Sequence, residues 1–551
     1  MSVQKLLIAN RGEIAVRIIR AARDLGVTAV AVYSQDDAQS LHVQMADAAV
    51  ALEGSGASAY LDINQIIQSA LSEGCDAIHP GYGFLAENAD FAEATEVNGL
   101  NFIGPSAQHL ALFGDKTAAR ALATELNVPI APATSGPTTL EDVQAFADEH
   151  GSVMIKAIAG GGGRGMRPVR VGGDLASAYE RCQSEAKAAF GNGDVYVEKL
   201  IEAARHIEIQ IIGDGNQVSH LGERECTIQR QNQKIIEIAP SPTLPDDTRT
   251  LLANAAVKMA QHAGYRGLGT WEFLVDANDL NNVAFIETNA RLQVEHTVTE
   301  AVTGVDLVQS QIRIIGGESL SDLGLTQAEI PEPQGHAIQC RVNTETMTPE
   351  GTARPTGGTL TTFNPPSGPG VRVDTYGYTG YSTSPNYDSL LAKVIGYSSS
   401  SSYADAIRRT RRALEEFHIE GVETNIGYLM ALLDRSEVQE NDLTTNFISQ
   451  NGADIAEAAS KNKQHQLPTS ASPLAGVQVS RDPLAVLEHG DLGGTSSLLT
   501  SASSAPAERS AASAHGPAGS QAVEAPLQGT IVSLSVQEGD LVAEGSAILV
   551  M

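Results

Sequence analysis

The chain has 551 residues, of which 42% are apolar, and this is enough for about three or four domains with substantial cores. Its 66 acidic residues outnumber 36 basic ones, and a net charge of -30 argues against a nucleic-acid partner, which requires a basic face. The N-terminal apolar stretch is too short for a signal peptide and no run of about 18 apolar residues follows, which predicts a cytoplasmic protein without a membrane span. Four scattered cysteines predict buried thiols rather than a disulfide framework or a zinc site.

The first part of the chain alternates short apolar runs with helical patterns. "KLLIAN", "VTAVAVY" and "CDAIHPGYG" have strand patterns, and a helix is predicted from about Glu13 to Leu25. Such βαβ alternation predicts an α/β domain with a doubly wound parallel sheet. Residues 116–330 mix strands and helices around a Gly-rich loop, and residues 331–450 add strands and a helix over "YADAIRRTRRALEEF". We therefore expect second and third lobes.

A glycine-rich stretch, "IKAIAGGGGRGMRPV", follows an apolar strand that includes Lys156. A flexible linker is the alternative interpretation of such a run. The run lies between strand patterns and has Lys156 and Arg164 on either side, so we expect a lid over phosphate groups. Backbone N–H groups at Gly161, Gly162 and Gly163 would approach the oxygen atoms. The run matches neither the Rossmann dinucleotide motif nor the P-loop motif, so another nucleotide fold is needed.

The most specific cluster of polar residues is "AFIETNARLQVEH", residues 284–296. Along a strand, alternate side chains share a face, which would gather Glu287, Asn289, Arg291, Gln293 and Glu295. A solvated sheet edge is the alternative. Against it, the opposite face is apolar, and a further carboxylate lies in the strand pattern "GTWEFLV" at Glu272. Two carboxylates and an amide suit Mg²⁺ between ATP phosphates, with an arginine as anion clamp and Glu295 as base.

Three shorter stretches are less specific. "VYVEKLI", with Glu198 and Lys199, is either a hinge that presents backbone groups to an adenine or an ordinary strand. "RHIEIQ" places His206 on one strand face with Glu208 and Gln210, and a single such histidine is more often structural than catalytic. "TIQRQNQK" modestly favours a ligand site after an apolar strand, because it concentrates Gln229, Arg230, Asn232 and Lys234.

The C-terminal part has a different composition. Residues 501–520 are rich in Ser and Ala with Pro and Gly, which predicts a flexible tether. The final stretch, "APLQGTIVSLSVQEGDLVAEGSAILVM", alternates apolar and polar residues around two turns and predicts half of a small all-β domain. We expect this half to be disordered or loosely docked, because it cannot cover its own apolar face.

Seven stretches together resemble biotin carboxylase, an ATP-grasp family, in order and spacing over about residues 3–450. They are "IANRGEIAVRIIRA", "HPGYGFLAEN", "FGDKTAAR", "GGGGRGM", "RHIEIQ", "FIETNARLQVEHTVTE" and "YDSLLAK". The resemblance implies an N-terminal domain at residues 1–115, an ATP-grasp domain at 116–330 with a mobile lid over about 131–203, and a C-terminal α+β domain at 331–450. Residues 451–522 would be a linker or an unassigned segment, and 523–551 a partial biotinyl domain that stops at Met551, before the biotinylated lysine.

The resemblance also implies a reaction. ATP and bicarbonate give carboxyphosphate, which releases CO₂ and phosphate; the phosphate deprotonates the ureido nitrogen of biotin, which attacks CO₂. ATP, Mg²⁺ or Mn²⁺ and biotin are the implied cofactors, and bicarbonate is a substrate. Carried over by position, the implied contacts are Lys116, Lys156 and His206 for the nucleotide, Glu198 and Leu200 for adenine, Gln229 for ribose, Glu272, Glu287 and Asn289 for the metal, Arg291, Gln293, Val294 and Lys234 for bicarbonate, Glu295 as base, and Arg341 for the biotin enolate.

The implied partners are a biotinyl carrier domain and a carboxyltransferase domain or subunit, with acyl-CoA, pyruvate or urea as the final acceptor. A homodimer is implied through the region of Arg20 and Arg372, where Pro369 departs from the family pattern. Two alternatives stay open. One is an ATP-grasp ligase that passes an acyl phosphate to an amine, as carbamoyl phosphate synthetases do; the other is a non-catalytic scaffold that keeps the fold.

Overall fold

The computed structural model of the protein describes residues 2–158, 165–348 and 351–462, together with Ser533–Leu534 and Leu549–Val550. The chain divides into two compact units, Met1–Ser470 and Ala471–Met551. Three predictions fall wholly or mostly outside the described residues: the lid glycines Gly161, Gly162 and Gly163, the linker from residue 463 onward, and nearly all of the partial biotinyl domain. Residues 451–461, which the sequence assigned to the linker, instead form the end of the helix Phe447–Lys461. Among the described residues, no helix has both the length and the apolarity that crossing a membrane requires.

The N-terminal region confirms the predicted parallel sheet. Its elements are β1 (Lys5–Ile8), α1 (Gly12–Asp24), β2 (Thr28–Tyr33), α2 (Leu41–Met45), β3 (Ala48–Ala51), α3 (Ile63–Ser72), β4 (Ala77–His79), α4 (Ala89–Val97), β5 (Asn101–Phe102) and α5 (Ala107–Gly114). The five strands are parallel in the order β3-β2-β1-β4-β5. Leu6, Leu7 and Ile8 are fully buried because β1 is central and helices cover both faces.

A small antiparallel sheet follows and has its own core. Its region contains α6 (Lys116–Glu125), α7 (Leu140–His150), β6 (Val153–Ala157), β7 (Met166–Val169), α8 (Leu175–Phe190) and β8 (Val195–Lys199). The strand order is β7-β6-β8, and the apolar faces of α7 and α8 pack on it through Val143, Leu175 and Cys182. Gly165 has φ +68°, and a Cβ there would come within 2.9 Å of the Ala157 Cβ, so the close approach of β6 and β7 requires glycine.

The next five strands form one side of an eight-stranded sheet, and four helices accompany them. They are β9 (Ala204–Asp214), β10 (Val218–Arg230), β11 (Gln233–Ala239), α9 (Asp246–His262), β12 (Arg266–Asp276), β13 (Asp279–Asn289), α10 (His296–Thr303), α11 (Leu307–Ile315) and α12 (Leu320–Leu323). Strands β10 and β11 form a hairpin whose turn residues, Gln231 and Asn232, have φ of 50° and 64°. Asn232 therefore lies in a tight turn.

The C-terminal elements complete the same sheet. They are β14 (His336–Asn343), β15 (Glu345–Met347), β16 (Ala353–Pro355), β17 (Thr362–Asn364), β18 (Val371–Thr375), β19 (Leu390–Ser398), α13 (Tyr403–Glu416), β20 (His418–Glu420), α14 (Ile426–Leu433), α15 (Ser436–Glu440) and α16 (Phe447–Lys461). The eight strands run in the order β13-β12-β9-β10-β11-β14-β19-β18. Because β11 pairs with β14, one sheet continues through the expected boundary at residue 330.

The second unit is described only as a short antiparallel pair, β21 (Ser533–Leu534) and β22 (Leu549–Val550). Both strands fall in the stretch for which the sequence predicted strands. In the first unit, all four cysteines are free and buried, as the sequence predicted.

Candidate active site

The polar stretch after β13 differs from the sequence prediction in its backbone. The predicted strand carried all five polar residues to Glu295, but β13 ends at Asn289. The backbone N–H of Arg291 donates to the carbonyl of Asn289 at 2.9 Å, so the chain turns instead of continuing the ladder. Residues 290–295, called here the anion turn, then lead into α10, for which Glu295 is the N-cap. The prediction of one shared strand face was thus wrong beyond Asn289, yet the turn brings the same side chains together.

The metal-binding residues predicted from sequence lie on two neighbouring strands. Glu272 of β12 stands directly opposite Glu287 of β13, and Asn289 donates its amide to Glu272 at 2.9 Å. Like charges opposite each other on paired strands are destabilising, so the pair needs cations. The ammonium of Lys116, at the start of α6, lies 2.5 Å from the Glu287 carboxylate. The imidazole Nε2 of His206 lies 3.0 Å from the Glu272 carboxylate.

These side chains fit a divalent cation. Mg²⁺ prefers carboxylate and amide oxygens and keeps part of its shell for water and substrate, which is the donor set of Glu272, Glu287 and Asn289. Among the residues that the structure describes, two buried groups have ligand atoms all within 4.8 Å of one another: His206, Glu208 and Glu272, and Glu208, Cys226 and Glu295. Burial raises the pKa of the Cys226 thiol well above the usual range, so this thiol stays protonated and is a poor metal ligand. The carboxylate oxygens of these groups therefore suit a hard cation better than the Cys226 sulfur does.

Lys234 is the centre of the cluster. From β11 its ammonium reaches Glu208 at 2.6 Å, Glu272 at 2.8 Å and Glu295 at 2.7 Å. An ammonium has three N–H donors, so each proton has a carboxylate acceptor. One residue thus links the predicted metal-binding face to the candidate base.

Glu295 is held by two cations. Besides Lys234, Arg341 of β14 donates to it at 3.0 Å, and the same guanidinium binds Glu237 at 2.5 Å. Burial alone would raise the pKa of Glu295, but Lys234 and Arg341 hold it below the usual range. Glu295 is therefore ionised at neutral pH. Its proton affinity would rise only if Lys234 and Arg341 left it to bind other anions.

The anion turn is fixed by side-chain contacts. Arg291 donates to Glu87 at 2.8 Å and to Asn289 at 2.7 Å, while Gln293 donates to Glu272 at 2.9 Å and accepts from Arg224 at 2.7 Å. The guanidinium of Arg291 is thereby positioned beside the predicted metal-binding residues.

Arg224 was not found by sequence reasoning. It is fully buried in β10 and bridges Glu208, Gln210 and Gln293, together with the hydroxyls of Thr270 and Thr299. A buried guanidinium is stable only when its donors are satisfied, and here five acceptors surround it. The signal in the sequence was a charged run, "GERE", inside a strand pattern.

Besides Lys116, the predicted nucleotide contacts that the structure describes lie on or just after strands of the small sheet and on β9 and β10. Lys156 of β6 pairs at 2.5 Å with Glu198 of β8, which also accepts from Arg120 at 2.8 Å. The backbone N–H of Leu200 donates to the carbonyl of Ser152 at 2.9 Å. This N–H is therefore already used by a bond within the protein. On the other side, Gln229 donates to His206 Nδ1 at 2.7 Å, which brings the residue predicted for the ribose next to one predicted for the nucleotide.

Known proteins match this chain along most of its length. The family described as "Biotin carboxylase, N-terminal domain" matches residues 2–110, "Carbamoyl-phosphate synthase L chain, ATP binding domain" matches 115–323, and "Biotin carboxylase C-terminal domain" matches 339–450. Biotin carboxylase 1 of Bacillus subtilis is 48% identical over 452 residues, which cover 81% of this chain and 98% of that protein. Pyruvate carboxylase 1 of Caenorhabditis elegans is 46% identical over 84% of this chain, which spans only 39% of that relative.

A solved structure agrees with the sequence relatives. The biotin carboxylase domain dimer of Hydrogenobacter thermophilus 2-oxoglutarate carboxylase, in complex with MgADP, ADP and bicarbonate, has a TM-score of 0.77 and 41% identity to this chain. The match covers 83% of this chain and 99% of that one. Family models, a relative covered almost completely and a shared fold all agree. The chain therefore belongs to the biotin carboxylase family of ATP-grasp ligases, which carboxylate biotin in an ATP-dependent reaction.

Proposed function

We propose that the chain activates bicarbonate with ATP and transfers the resulting CO₂ to the ureido nitrogen of biotin, through the residues described above. The observation that carries the proposal is the Lys234 cluster, which joins Glu272 of the metal-binding face to Glu295, the candidate base. A single connected site can then hold a nucleotide, a small anion and a proton acceptor together.

The nucleotide half of the site is assigned as follows. Lys116 and Lys156 exchange their carboxylate partners, Glu287 and Glu198, for phosphate oxygens when ATP binds. When bound, Mg²⁺ neutralises charge on the transferring phosphate, and Glu272, Glu287 and Asn289 would hold it. The remaining contacts are His206 at the phosphates, Gln229 at the ribose, Glu198 and the Leu200 backbone at the adenine, and Gly161, Gly162 and Gly163 of the lid at the phosphates.

The bicarbonate half is built on the anion turn. Arg291, Gln293, the backbone of Val294 and Lys234 bind the anion. Glu295 removes its proton as the bicarbonate oxygen attacks the γ-phosphorus of ATP, and ADP leaves with the bridging oxygen to give carboxyphosphate. Bicarbonate draws Lys234 away from Glu295, so the base gains proton affinity when its substrate is present. Arg341, which lies 3.0 Å from Glu295, stabilises the negative charge on the biotin ureido oxygen after deprotonation.

The test is bicarbonate-dependent ATP hydrolysis, measured with and without free biotin. We expect biotin to stimulate ADP release and Glu295→Gln to abolish it. Glu345→Gln is the matched control, because Glu345 is an equally buried carboxylate that pairs with Arg230 outside the cluster. Stimulation by ammonia or another amine, with indifference to biotin, would instead favour the amine-ligase alternative. Loss of activity in both variants would contradict the role of Glu295.

The wider assignments rest on the relatives. We propose that this chain works with a biotinyl carrier domain and a carboxyltransferase domain or subunit in the cytoplasm, and that residues 1–115, 116–330 and 331–450 are its biotin carboxylase domains. Residues 523–551 would be part of the carrier domain. The homodimer is proposed through the surface near Arg20 and Arg372, and sedimentation of Arg372→Glu against the unchanged chain tests it.

A further inference from the structure

Lys393 is a buried charge to which the catalytic assignment gives no role. It ends the "YDSLLAK" stretch on β19 and its side chain is 0% exposed. Burying an ammonium without partners is very costly, so its contacts indicate what the position requires. The ammonium lies 2.9 Å from Glu13 and 3.8 Å from Asp374, and it donates to the Val294 carbonyl at 3.1 Å.

The contact with Val294 is the informative one. The polar side chains of the anion turn are tied down individually: Arg291 by Glu87, Gln293 by Glu272, and Glu295 by Lys234 and Arg341. Val294 has no polar side-chain atom, so only its backbone can be fixed by a hydrogen bond. The Lys393 ammonium supplies that bond, and it is charge-assisted.

The sheet places Lys393 next to Arg341. In the β14–β19 pairing Arg341 stands directly opposite Lys393, and in the β18–β19 pairing Asp374 stands opposite Lys393. Residues that are directly opposite share a face of the sheet, so the two cations form a row that faces α10 and the anion turn. Arg341 contacts Glu295, while Lys393 contacts the residue before it.

We infer that Lys393 is a positioning residue for bicarbonate, which holds the Val294–Glu295 peptide so that the Val294 N–H and the Glu295 carboxylate face the anion together. This inference rests on the proposed function. Lys393 acts through the Val294 carbonyl, on the backbone of the turn. The alternative is a purely structural role, in which Lys393 only neutralises Glu13 and Asp374.

The test is the kinetics of Lys393→Met in the full chain, with MgATP and bicarbonate varied separately. Loss of a charge-assisted hydrogen bond predicts a rise of about tenfold or more in the KM for bicarbonate, with the KM for MgATP changed by less than about twofold. Lys393→Arg keeps a charged donor and should recover part of the loss. Asp37→Asn is the matched control: it breaks the buried Arg11 pair, which should lower Tm without changing the KM for bicarbonate.

A second readout does not depend on turnover. Hydrogen exchange of a peptide spanning residues 289–300 should be faster in Lys393→Met than in the unchanged chain, and unaffected in Asp37→Asn. If Lys393→Met does not fold, the charge-balanced Lys393→Met/Glu13→Gln variant takes its place in both measurements.

The possible outcomes separate the two proposals. An unchanged KM for bicarbonate together with unchanged exchange in a folded variant would overturn the role of Lys393 and leave the proposed function standing. An unchanged chain that hydrolyses no ATP in response to bicarbonate would overturn the proposed function, and the role of Lys393 with it.

Discussion

Replacing Lys234 by Met should make the free energy of unfolding depend on pH in a characteristic way. In the unchanged chain the Lys234 ammonium lies within 2.8 Å of three buried carboxylates, Glu208, Glu272 and Glu295. Burial alone would raise the pKa of Glu272 and Glu295, but Lys234 is the largest influence that lowers both. Without it, burial and mutual repulsion would raise their pKa values above the unfolded range.

The sign follows from proton linkage. A carboxylate with a lowered pKa stabilises the fold above its unfolded pKa, and this stabilisation is lost as the pH falls through the folded pKa; a raised pKa has the opposite effect. The stability difference between the unchanged chain and Lys234→Met should therefore be largest near pH 7, at about 3–5 kcal/mol for a broken buried ion pair. This difference in the free energy of unfolding should decrease as the pH falls, because the carboxylates become protonated in the folded variant but not in the folded unchanged chain. The decrease should be about 1.4 kcal/mol per pH unit for each such carboxylate.

Urea unfolding at several pH values between 8 and 4.5 measures this difference. Lys258→Met is the control, because Lys258 is an exposed lysine on α9 that contacts only the Leu126 carbonyl among the bonds described. Its difference from the unchanged chain should stay small at every pH. A Lys234→Met difference that does not change with pH would refute the reasoning, since loss of packing would then explain it better than charge.

Three further outcomes are expected. Burial lowers the pKa of His79 to about 3, so the unfolded chain binds a proton at this residue more readily than the folded chain does. The stability of the unchanged chain should therefore fall as the pH drops below the unfolded pKa of histidine. In urea unfolding, His79→Gln should lose less stability between pH 7 and pH 5 than the unchanged chain. Arg120→Met should raise the KM for MgATP about tenfold in the ATPase assay, because Arg120 joins Glu198 to the Ala131 carbonyl at the start of the expected lid. Glu287→Gln should raise the Mg²⁺ concentration for half-maximal activity about tenfold, because it removes one predicted carboxylate ligand.

Each of these expectations can be contradicted by a specific result. A steeper pH dependence in His79→Gln would contradict the neutral buried state of this histidine. For Arg120→Met, an equal rise in the KM for bicarbonate would indicate general damage rather than a nucleotide effect. Glu185→Gln, at an exposed carboxylate on α8, should leave the Mg²⁺ requirement unchanged, and an equal effect there would remove the metal assignment from Glu287.

Periodicity predicted the regular parts of the fold well. The apolar run "KLLI" and the amphipathic helix after it became β1 and α1, and "HAIQCRVN" became β14, because local patterns decide such elements. The alternation of polar and apolar residues continues after Glu287, so the sequence predicted a strand up to Glu295, whereas β13 ends at Asn289. Strand periodicity cannot show that the backbone N–H of Arg291 bonds within its own turn.

The partners of the site residues were beyond the sequence. The sequence predicted Glu272, Glu287 and Glu295 as site residues because acidic residues in apolar strands are unusual. That Lys234 contacts Glu208, Glu272 and Glu295 depends on strand order, which brings β11 within reach of β9, β12 and the anion turn. Arg224, Glu237 and Lys393 were missed for the same reason, since each is explained only by partners distant in the chain.

The continuous eight-stranded sheet limits how this chain can be divided. Strand β11 carries Lys234 and Glu237, and its outer edge is covered by β14, from the far side of the expected boundary at residue 330. Cutting or recombining the chain at that boundary would expose the backbone of β11 as a bare edge, free to pair with another molecule. It would also remove Arg341 and leave Glu237 without its arginine. For protein engineering, the lobe that carries the predicted nucleotide contacts and the lobe that carries Arg341 should be kept together as one unit.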